Sequence, residues 1–128
     1  MAYLRCSTET LREGVLVRVN GDVDLATAPL LADHLTKAFG AHFRVIVDLD
    51  SVPYLGSAGL HVLARTAARY AGQFVVVQST ARLRRLLDIL GVNGLLPVVT
   101  SIAEAEEYLR NHDDRADGGA SRAAGDMD

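Results

Sequence analysis

The chain has 128 residues, of which 49% are hydrophobic and 23% are charged, a composition typical of one globular domain. Its formal net charge is −3, and residues 113–128 carry this whole excess, because their five acidic side chains are offset by only two arginines. Residues 1–112 hold 11 charges of each sign and are formally neutral, which argues against nucleic-acid binding and against attachment to an anionic membrane surface, both of which need an excess of basic residues. A single cysteine, Cys6, excludes an internal disulfide, and the spacing of the four histidines predicts no metal site.

The first part of the chain predicts a hairpin followed by a helix. Val15–Val19 is rich in β-branched residues and predicts a strand, Tyr3–Thr10 predicts a weaker one, and Glu13-Gly14 between them predicts a turn. Thr27 can cap the helix that follows, and Gly40 ends it. Three apolar residues recur on one face of this helix, namely Leu31, Leu35 and Ala38.

The rest of the chain alternates strands with helices. The predicted elements are a strand over 44–50, a helix after Tyr54 that ends at Gly72, a strand over 74–77, a helix from about Ser79 to Gly91, a strand over 96–100 and a helix that begins with the capping box Ser101–Glu104. Val45, Val47 and Leu49 lie on one face of the first of these strands and Ile46 on the other. Phe74–Val77 is apolar throughout, which predicts burial on both faces.

The order ββαβαβαβα predicts an α/β fold with a mixed, mainly parallel central sheet, an N-terminal hairpin and flanking helices. We expect residues 1–112 to form this single domain. The small, polar and acidic tail over 113–128 is expected to be disordered, because it cannot bury enough apolar surface to become ordered. The N-terminus lacks the apolar core of a signal peptide and no apolar run could span a bilayer, so we expect a cytoplasmic protein.

Two loops follow predicted strands at their carboxyl ends, where an open α/β sheet usually binds ligands and partners. The first loop, residues 20–27, holds Asp22 and Asp24, and such paired carboxylates can act in acid–base chemistry, bind a cation or accept hydrogen bonds from loop amides. The second loop, residues 51–59, places Ser57 at the start of a helix. Its hydroxyl can cap the first turn or carry a phosphate that the helix dipole favours.

A small serine hydrolase is the alternative function for the second loop. His61 follows Ser57 by one helical turn, so the two side chains could act as nucleophile and base. However, Leu55 occupies the first glycine position of the G-x-S-x-G nucleophile motif, and no third catalytic group is evident. The glycine motifs that bind nucleotide phosphates are absent as well, and the sequence predicts no cofactor.

Several short motifs follow one another along the chain. They are Gly21-Asp-Val-Asp24 with Thr27-Ala-Pro29, Val47-Asp-Leu-Asp-Ser-Val52, Gly56-Ser-Ala-Gly-Leu60, and the closing segments Leu86-Leu-Asp-Ile-Leu-Gly-Val92 and Ser101–Leu109. In this order and spacing they resemble the STAS family of anti-sigma-factor antagonists. Each motif alone is weak, whereas the combination is specific, and the resemblance extends over residues 10–110.

The resemblance implies the α/β fold predicted above and a regulatory protein that is not an enzyme. Such a protein binds an anti-sigma factor, often itself a serine kinase, and so frees a sigma factor for transcription in a stress response. The kinase then phosphorylates a serine at the start of the second helix, which breaks the complex, and a phosphatase restores it. The phosphoacceptor falls on Ser57, and the loop aspartate that contacts the anti-sigma factor falls on Asp24. The expected partner-binding residues are Gly21, Asp22, Asp24, Thr27, Gly56, Ser57, Ala58 and Gly59.

The chain departs from the family pattern on both sides of Ser57. The family usually has an aspartate immediately before the serine and a serine or threonine after it, whereas this chain has Gly56 and Ala58. We therefore expect phosphorylation control that is weaker than that of the family or different from it, with anti-sigma binding retained. A role as an adaptor inside a larger stress-signalling assembly is a further hypothesis.

Overall fold

The computed structural model describes residues 3–89 and 96–112. In these ranges five strands and four helices alternate after a hairpin, which confirms the predicted order. The strands are β1 (Leu4–Leu11), β2 (Gly14–Gly21), β3 (Val45–Ser51), β4 (Phe74–Val77) and β5 (Val98–Val99). The helices are α1 (Ala28–Ala41), α2 (Ser57–Arg69), α3 (Ala81–Ile89) and α4 (Ile102–Asn111). The acidic tail 113–128 and Gly91, the predicted end of the third helix, lie outside the described residues.

The five strands form one sheet in the order β1-β2-β3-β4-β5. β1 and β2 pair antiparallel through the hairpin, and the other neighbouring pairs are parallel, which confirms the mixed, mainly parallel sheet. The hairpin turn consists of Arg12 and Glu13, because Leu11 pairs with Gly14, and it therefore begins one residue earlier than predicted. Gly14 has φ +148 and lies so close to the Arg44 carbonyl that a Cβ would be only 2.5 Å from its oxygen.

Helices cover both faces of the sheet, and each face has its own apolar core. α1, α2 and α3 pack on one face, because right-handed crossovers between consecutive parallel strands place their helices on the same side. Val45, Val47 and Leu49 of β3 contribute to this core and Ile46 to the other, as their alternation predicts. α4 packs on the second face, whose buried residues are Leu16, Ile46, Val75, Val77, Ala105 and Leu109.

β4 contributes side chains to both cores. All four of its residues are buried, which confirms the prediction from its unbroken apolar run. Phe74 and Val76 belong to the first core, and Val75 and Val77 to the second. Because burial of one such side chain stabilises the fold by about 1.5–3 kcal/mol, these contacts fix helices on both sides of the sheet. Within the described residues no helix is long and apolar enough to cross a membrane.

Candidate functional site

Backbone hydrogen bonds hold together the two loops that follow β2 and β3. The Val23 amide donates to the Tyr54 carbonyl at 2.8 Å, and the Gly56 amide donates to the Val23 carbonyl at 2.8 Å. Val23 thereby forms an isolated parallel bridge with Leu55, and both of these side chains are buried. The bridge continues the pairing of β2 with β3 beyond the ends of the strands, so the loops form one unit at this edge of the sheet.

Asp24 and Thr27 are joined by reciprocal hydrogen bonds. The Thr27 amide donates to the Asp24 Oδ1 at 3.0 Å, and the Asp24 amide donates to the Thr27 Oγ1 at 2.9 Å. This is the geometry of a capping box, in which Asp24 caps a helical turn that leads into α1. The Ala28 amide completes the turn by donating to the Asp24 carbonyl at 2.8 Å. Of the roles left open for Asp24, the structure therefore favours acceptance of loop amides.

The predicted cap of α1 is correct in position and wrong in mechanism. Thr27 occupies the N-cap position of α1, but its side chain makes no capping hydrogen bond to the helix. Its hydroxyl instead donates to the Asp22 carbonyl at 2.8 Å and accepts from the Asp24 amide, and Thr27 is only 1% exposed. Thr27 consequently fixes the loop before the helix rather than the helix itself.

The hydrogen bonds at Asp24 also determine its charge. The bond from the Thr27 amide has the largest effect, and the Thr27 hydroxyl, which shares its proton between the Asp22 carbonyl and the Asp24 Oδ1 at 3.1 Å, adds to it together with neighbouring amides. These bonds hold the pKa of Asp24 below its ordinary value despite the opposing effect of desolvation. The carboxyl group is therefore ionised throughout the neutral pH range. A fixed negative charge lies in the first loop, beside the second.

Ser57 does not cap α2, contrary to one of the two roles considered for it. The N-cap is Gly56, whose φ of −87° and ψ of 178° are extended, and Ser57 is the first helical residue. The reason is the bridge between the loops, because the Val23 carbonyl holds the Gly56 amide and keeps this residue extended. The Ser57 side chain is exposed and, in the part of the chain that the structure describes, makes no hydrogen bond. Its hydroxyl is accessible to another molecule.

Gly59 permits the close contact between α2 and the first loop. A Cβ at this position would lie 2.5 Å from the Val23 Cγ1 and 2.7 Å from the Leu55 Cδ1, distances that real side chains do not reach. At Gly56 a Cβ would lie 3.0 Å from the Tyr54 hydroxyl, which is tight but relieved by movement of an exposed ring. The close contact between the loops therefore requires a glycine at position 59, whereas a side chain at position 56 requires only a movement of the Tyr54 ring.

The geometry does not support a serine–histidine pair. His61 is exposed on α2, and no hydrogen bond joins it to Ser57 or to a third group among the residues described. Across residues 3–89 and 96–112 there is likewise no group of three or more histidine, cysteine or carboxylate side chains that could hold a metal ion. Asp22 is exposed and lies two residues from Asp24, whose carboxylate is already bound to Thr27.

Two exposed apolar side chains on the paired loops were not predicted as part of the site. Leu25 is 84% exposed and Tyr54 is 55% exposed. Together with Asp22 and Ser57 they form what we call the loop surface. Large apolar side chains among exposed polar groups are typical of surfaces that bind proteins. The signal in the sequence was the leucine inside the capping turn, since the two central residues of such a turn face solvent.

A family model, a curated relative and a solved structure all relate this chain to STAS domains and anti-sigma factor antagonists. The model of the STAS domain family matches residues 6–105, a range that includes both loops. The anti-sigma-F factor antagonist RsfB of Mycobacterium tuberculosis is 26% identical over 98 residues, which are 74% of this chain and 80% of RsfB. The crystal structure of an anti-sigma factor antagonist from Mycobacterium paratuberculosis is also 26% identical, with a TM-score of 0.75 over 84% of this chain and 95% of that one.

A more distant likeness concerns the fold alone. The Bacillus cell fate determinant SpoIIAA, whose structure has been solved in the phosphorylated form, is 19% identical to this chain with a TM-score of 0.56. The match covers 83% of this chain and 100% of SpoIIAA. The arrangement of sheet and helices is therefore shared at low sequence identity.

Proposed function

The chain belongs to the STAS domain family, and on this premise we propose that it is an anti-sigma-factor antagonist. It binds an anti-sigma factor in the cytoplasm and so frees a sigma factor for transcription. Support comes from RsfB and from the Mycobacterium paratuberculosis protein, both named as anti-sigma antagonists and both matched over most of their length. In this proposal the chain is a binding protein and catalyses no reaction of its own.

The loop surface is the proposed contact with the anti-sigma factor. The observation that carries this proposal is the bridge between Val23 and Leu55, because it holds the loop of Asp22 and Asp24 beside Ser57. Leu25 and Tyr54 supply apolar area, and the carboxylates supply charge that can orient a basic partner. Gly21, Thr27, Gly56, Ala58 and Gly59 are proposed to support this surface, through the loop conformation or the close approach of a partner.

Phosphorylation of Ser57 is the proposed means of release. The Ser57 Oγ attacks the γ-phosphorus of an ATP bound to a kinase-type anti-sigma factor, ADP leaves, and the hydroxyl proton passes to a base of the kinase. The product adds about −1.5 to −2 charges at pH 7. In the free protein, the N-terminus of α2 favours the phosphate group on Ser57. A partner that covers this surface would have to remove water from the phosphate beside the carboxylates of Asp22 and Asp24, which disfavours the complex.

The residues beside Ser57 favour phosphorylation control that differs from the family's. An aspartate in place of Gly56 would bring its Cβ to 3.0 Å from the Tyr54 hydroxyl, so the Tyr54 ring occupies space next to the position of the missing carboxylate. We propose that this chain is a poorer kinase substrate than family members with the usual aspartate. Incubation with the kinase-type anti-sigma factor and ATP, followed by phosphate mapping by mass spectrometry, tests this. Rapid and complete modification of Ser57 would contradict it.

Binding itself is tested with purified anti-sigma factors of the source organism, titrated one at a time by calorimetry. We expect one of them to bind the full chain and to release its sigma factor. Ser57→Asp and Asp24→Ala should each weaken that complex at least about tenfold. The first adds a negative charge at the contact, and the second removes the carboxylate that accepts from the Thr27 amide and holds the first loop. Ser7→Asp, which adds the same charge at an exposed position of β1, should leave the affinity unchanged. Equal losses in Ser7→Asp and Ser57→Asp would place the contact elsewhere.

A further inference from the structure

A groove of about 240 Å³ lies between α1 and α2, and none of the residues of the loop surface lines it. Its floor is apolar. Leu35 and Val62 lie at its base, and the rings of Phe39 and Tyr70 stack at one side with centroids 3.7 Å apart and planes only 3° apart. Apolar grooves of this kind between helices are common ligand sites.

The two threonines of the groove contribute little polarity. The Thr36 hydroxyl donates to the Ala32 carbonyl at 3.0 Å, and the Thr66 hydroxyl donates to the Val62 carbonyl at 2.8 Å. Because each proton is already used within its own helix, neither hydroxyl is free to donate to a ligand. Hydrogen-bond donors at the groove must come from other side chains.

Arg65 and Arg69 provide those donors. They lie one turn apart on α2, both are exposed, and both line the groove. In the ranges 3–89 and 96–112 neither guanidinium is within salt-bridge distance of a carboxylate, although four other basic residues there do form ion pairs, namely Arg18, Lys37, Arg44 and Arg110. The Arg69 guanidinium lies 5.5 Å from the centre of the Tyr70 ring. Two like charges at this spacing repel each other, and an anion between them would remove the repulsion.

We propose that this groove binds a small amphipathic anion, with a flat or short apolar body and one carboxylate, sulfonate or phosphate group. The apolar body lies on Leu35, Val62 and the stacked rings, and the acidic group lies between Arg65 and Arg69. The site is separate from the loop surface, and the proposal does not depend on the function proposed above. It assigns a ligand class to the groove between α1 and α2.

The test uses the full ¹⁵N-labelled chain and naphthalene-2-sulfonate as the probe, with the amide resonances followed by NMR at pH 7. We expect saturable shifts that centre on Phe39, Val62 and Tyr70. The uncharged 2-naphthol should bind at least about tenfold more weakly, because it lacks the group that meets the guanidinium pair. Arg65→Gln/Arg69→Gln should lower the affinity for the sulfonate by a similar factor and leave that for the naphthol unchanged.

The matched control is Arg5→Gln/Arg12→Gln, which removes the same charge at exposed positions of the hairpin and should not alter the affinity. Equal affinity for sulfonate and naphthol would overturn the anion site, as would shifts that avoid the groove. The proposal would also be overturned if the groove were occupied by another part of this chain or by a second copy of it. If the groove responds only after deletion of residues 113–128, the acidic tail fills it; if its resonances shift with protein concentration alone, a second copy does.

Discussion

The hydroxyl of Thr27 satisfies two backbone groups of the loop after β2, since it accepts from the Asp24 amide and donates to the Asp22 carbonyl. The residue is 1% exposed, so water cannot readily replace the hydroxyl. Asp24 returns the interaction by accepting from the Thr27 amide. Asp24 therefore carries a charge in the first loop and also belongs to the capping box that fixes the conformation of this loop.

Thr27→Val keeps the volume of the side chain and removes the hydroxyl. We expect the free energy of unfolding to fall by about 1–3 kcal/mol, because the Asp22 carbonyl and the Asp24 amide lose their partner. Urea denaturation measures the change. Thr36→Val is the control: its exposed hydroxyl bonds only within its own helix, and the change should stay within about 0.5 kcal/mol. Similar losses in both variants would show that the capping box does not stabilise the loop.

The depressed pKa of Asp24 predicts a pH dependence of stability. Its stabilising contribution is complete above the ordinary aspartate pKa of about 3.9 and is lost as the pH falls through the lower pKa of the folded state. The free energy of unfolding of the wild type, relative to that of Asp24→Asn, should thus be constant above about pH 5 and decrease below about pH 4. Urea titrations at several pH values measure this difference. A difference that does not change with acidification would contradict the prediction.

Among the elements, α2 is positioned by how closely its first turn approaches the first loop. Gly59 faces Val23 and Leu55, the two residues of the bridge, and leaves no room for a methyl group. The N-terminus of α2 and the loop of Asp24 are consequently held by the same contact. Any change at Gly59 alters the position of Ser57 relative to Asp24.

Gly59→Ala should lower the free energy of unfolding by about 1–3 kcal/mol, because the added methyl group overlaps Val23 and Leu55. Gly40→Ala is the matched control, since a Cβ there meets nothing within 4 Å. Gly40 lies inside α1, which ends at Ala41 and not at Gly40 as predicted. Gly40→Ala should raise the stability by up to about 1 kcal/mol through helix propensity. Thermal and urea unfolding of both variants give the comparison, and a stabilising Gly59→Ala would mean that α2 can move away at no cost.

The strands and cores were predictable from the sequence, and the details of the loops were not. The alternation of Val45, Ile46 and Val47 assigns each side chain to a face, because a strand has a period of two. The capping residue of α2 depends instead on the hydrogen bond between the Gly56 amide and the distant Val23 carbonyl. No local pattern encodes that contact. The exposure of Leu25, by contrast, follows from the local capping turn formed by Asp24 and Thr27.

At the scale of the whole molecule, Glu13 joins the hairpin to two segments that are distant in the sequence. From the hairpin turn its carboxylate meets the Arg44 guanidinium at 2.6 Å and the Arg110 guanidinium at 3.5 Å. Arg44 immediately precedes β3 and Arg110 lies in α4. The Glu13 and Arg44 side chains are only 12% and 21% exposed, so their ion pair is largely shielded from solvent, whereas the Arg110 side chain is 53% exposed.

Glu13→Gln should lower the free energy of unfolding by about 1–3 kcal/mol, because two guanidinium groups lose a largely buried partner. Glu9→Gln, which removes the exposed pair with Arg18, should lower it by no more than about 1 kcal/mol. Both are measured by urea denaturation at low and high salt. Added salt should reduce the effect of Glu9→Gln more than that of Glu13→Gln. The reverse order would show that the Glu13–Arg44 pair is accessible to solvent.

The sequential strand order has a consequence for the kind of molecule that the carboxyl edge of the sheet can recognise. Doubly wound folds bind nucleotides in a crevice at a topological switch point, where successive crossovers leave a strand pair towards opposite faces. Across the described strands the order never reverses, and α1, α2 and α3 all turn to the same face. The five described strands therefore contain no switch point. At this edge the bridged loops present the exposed Leu25 and Tyr54 side chains in place of the switch-point crevice of a doubly wound fold.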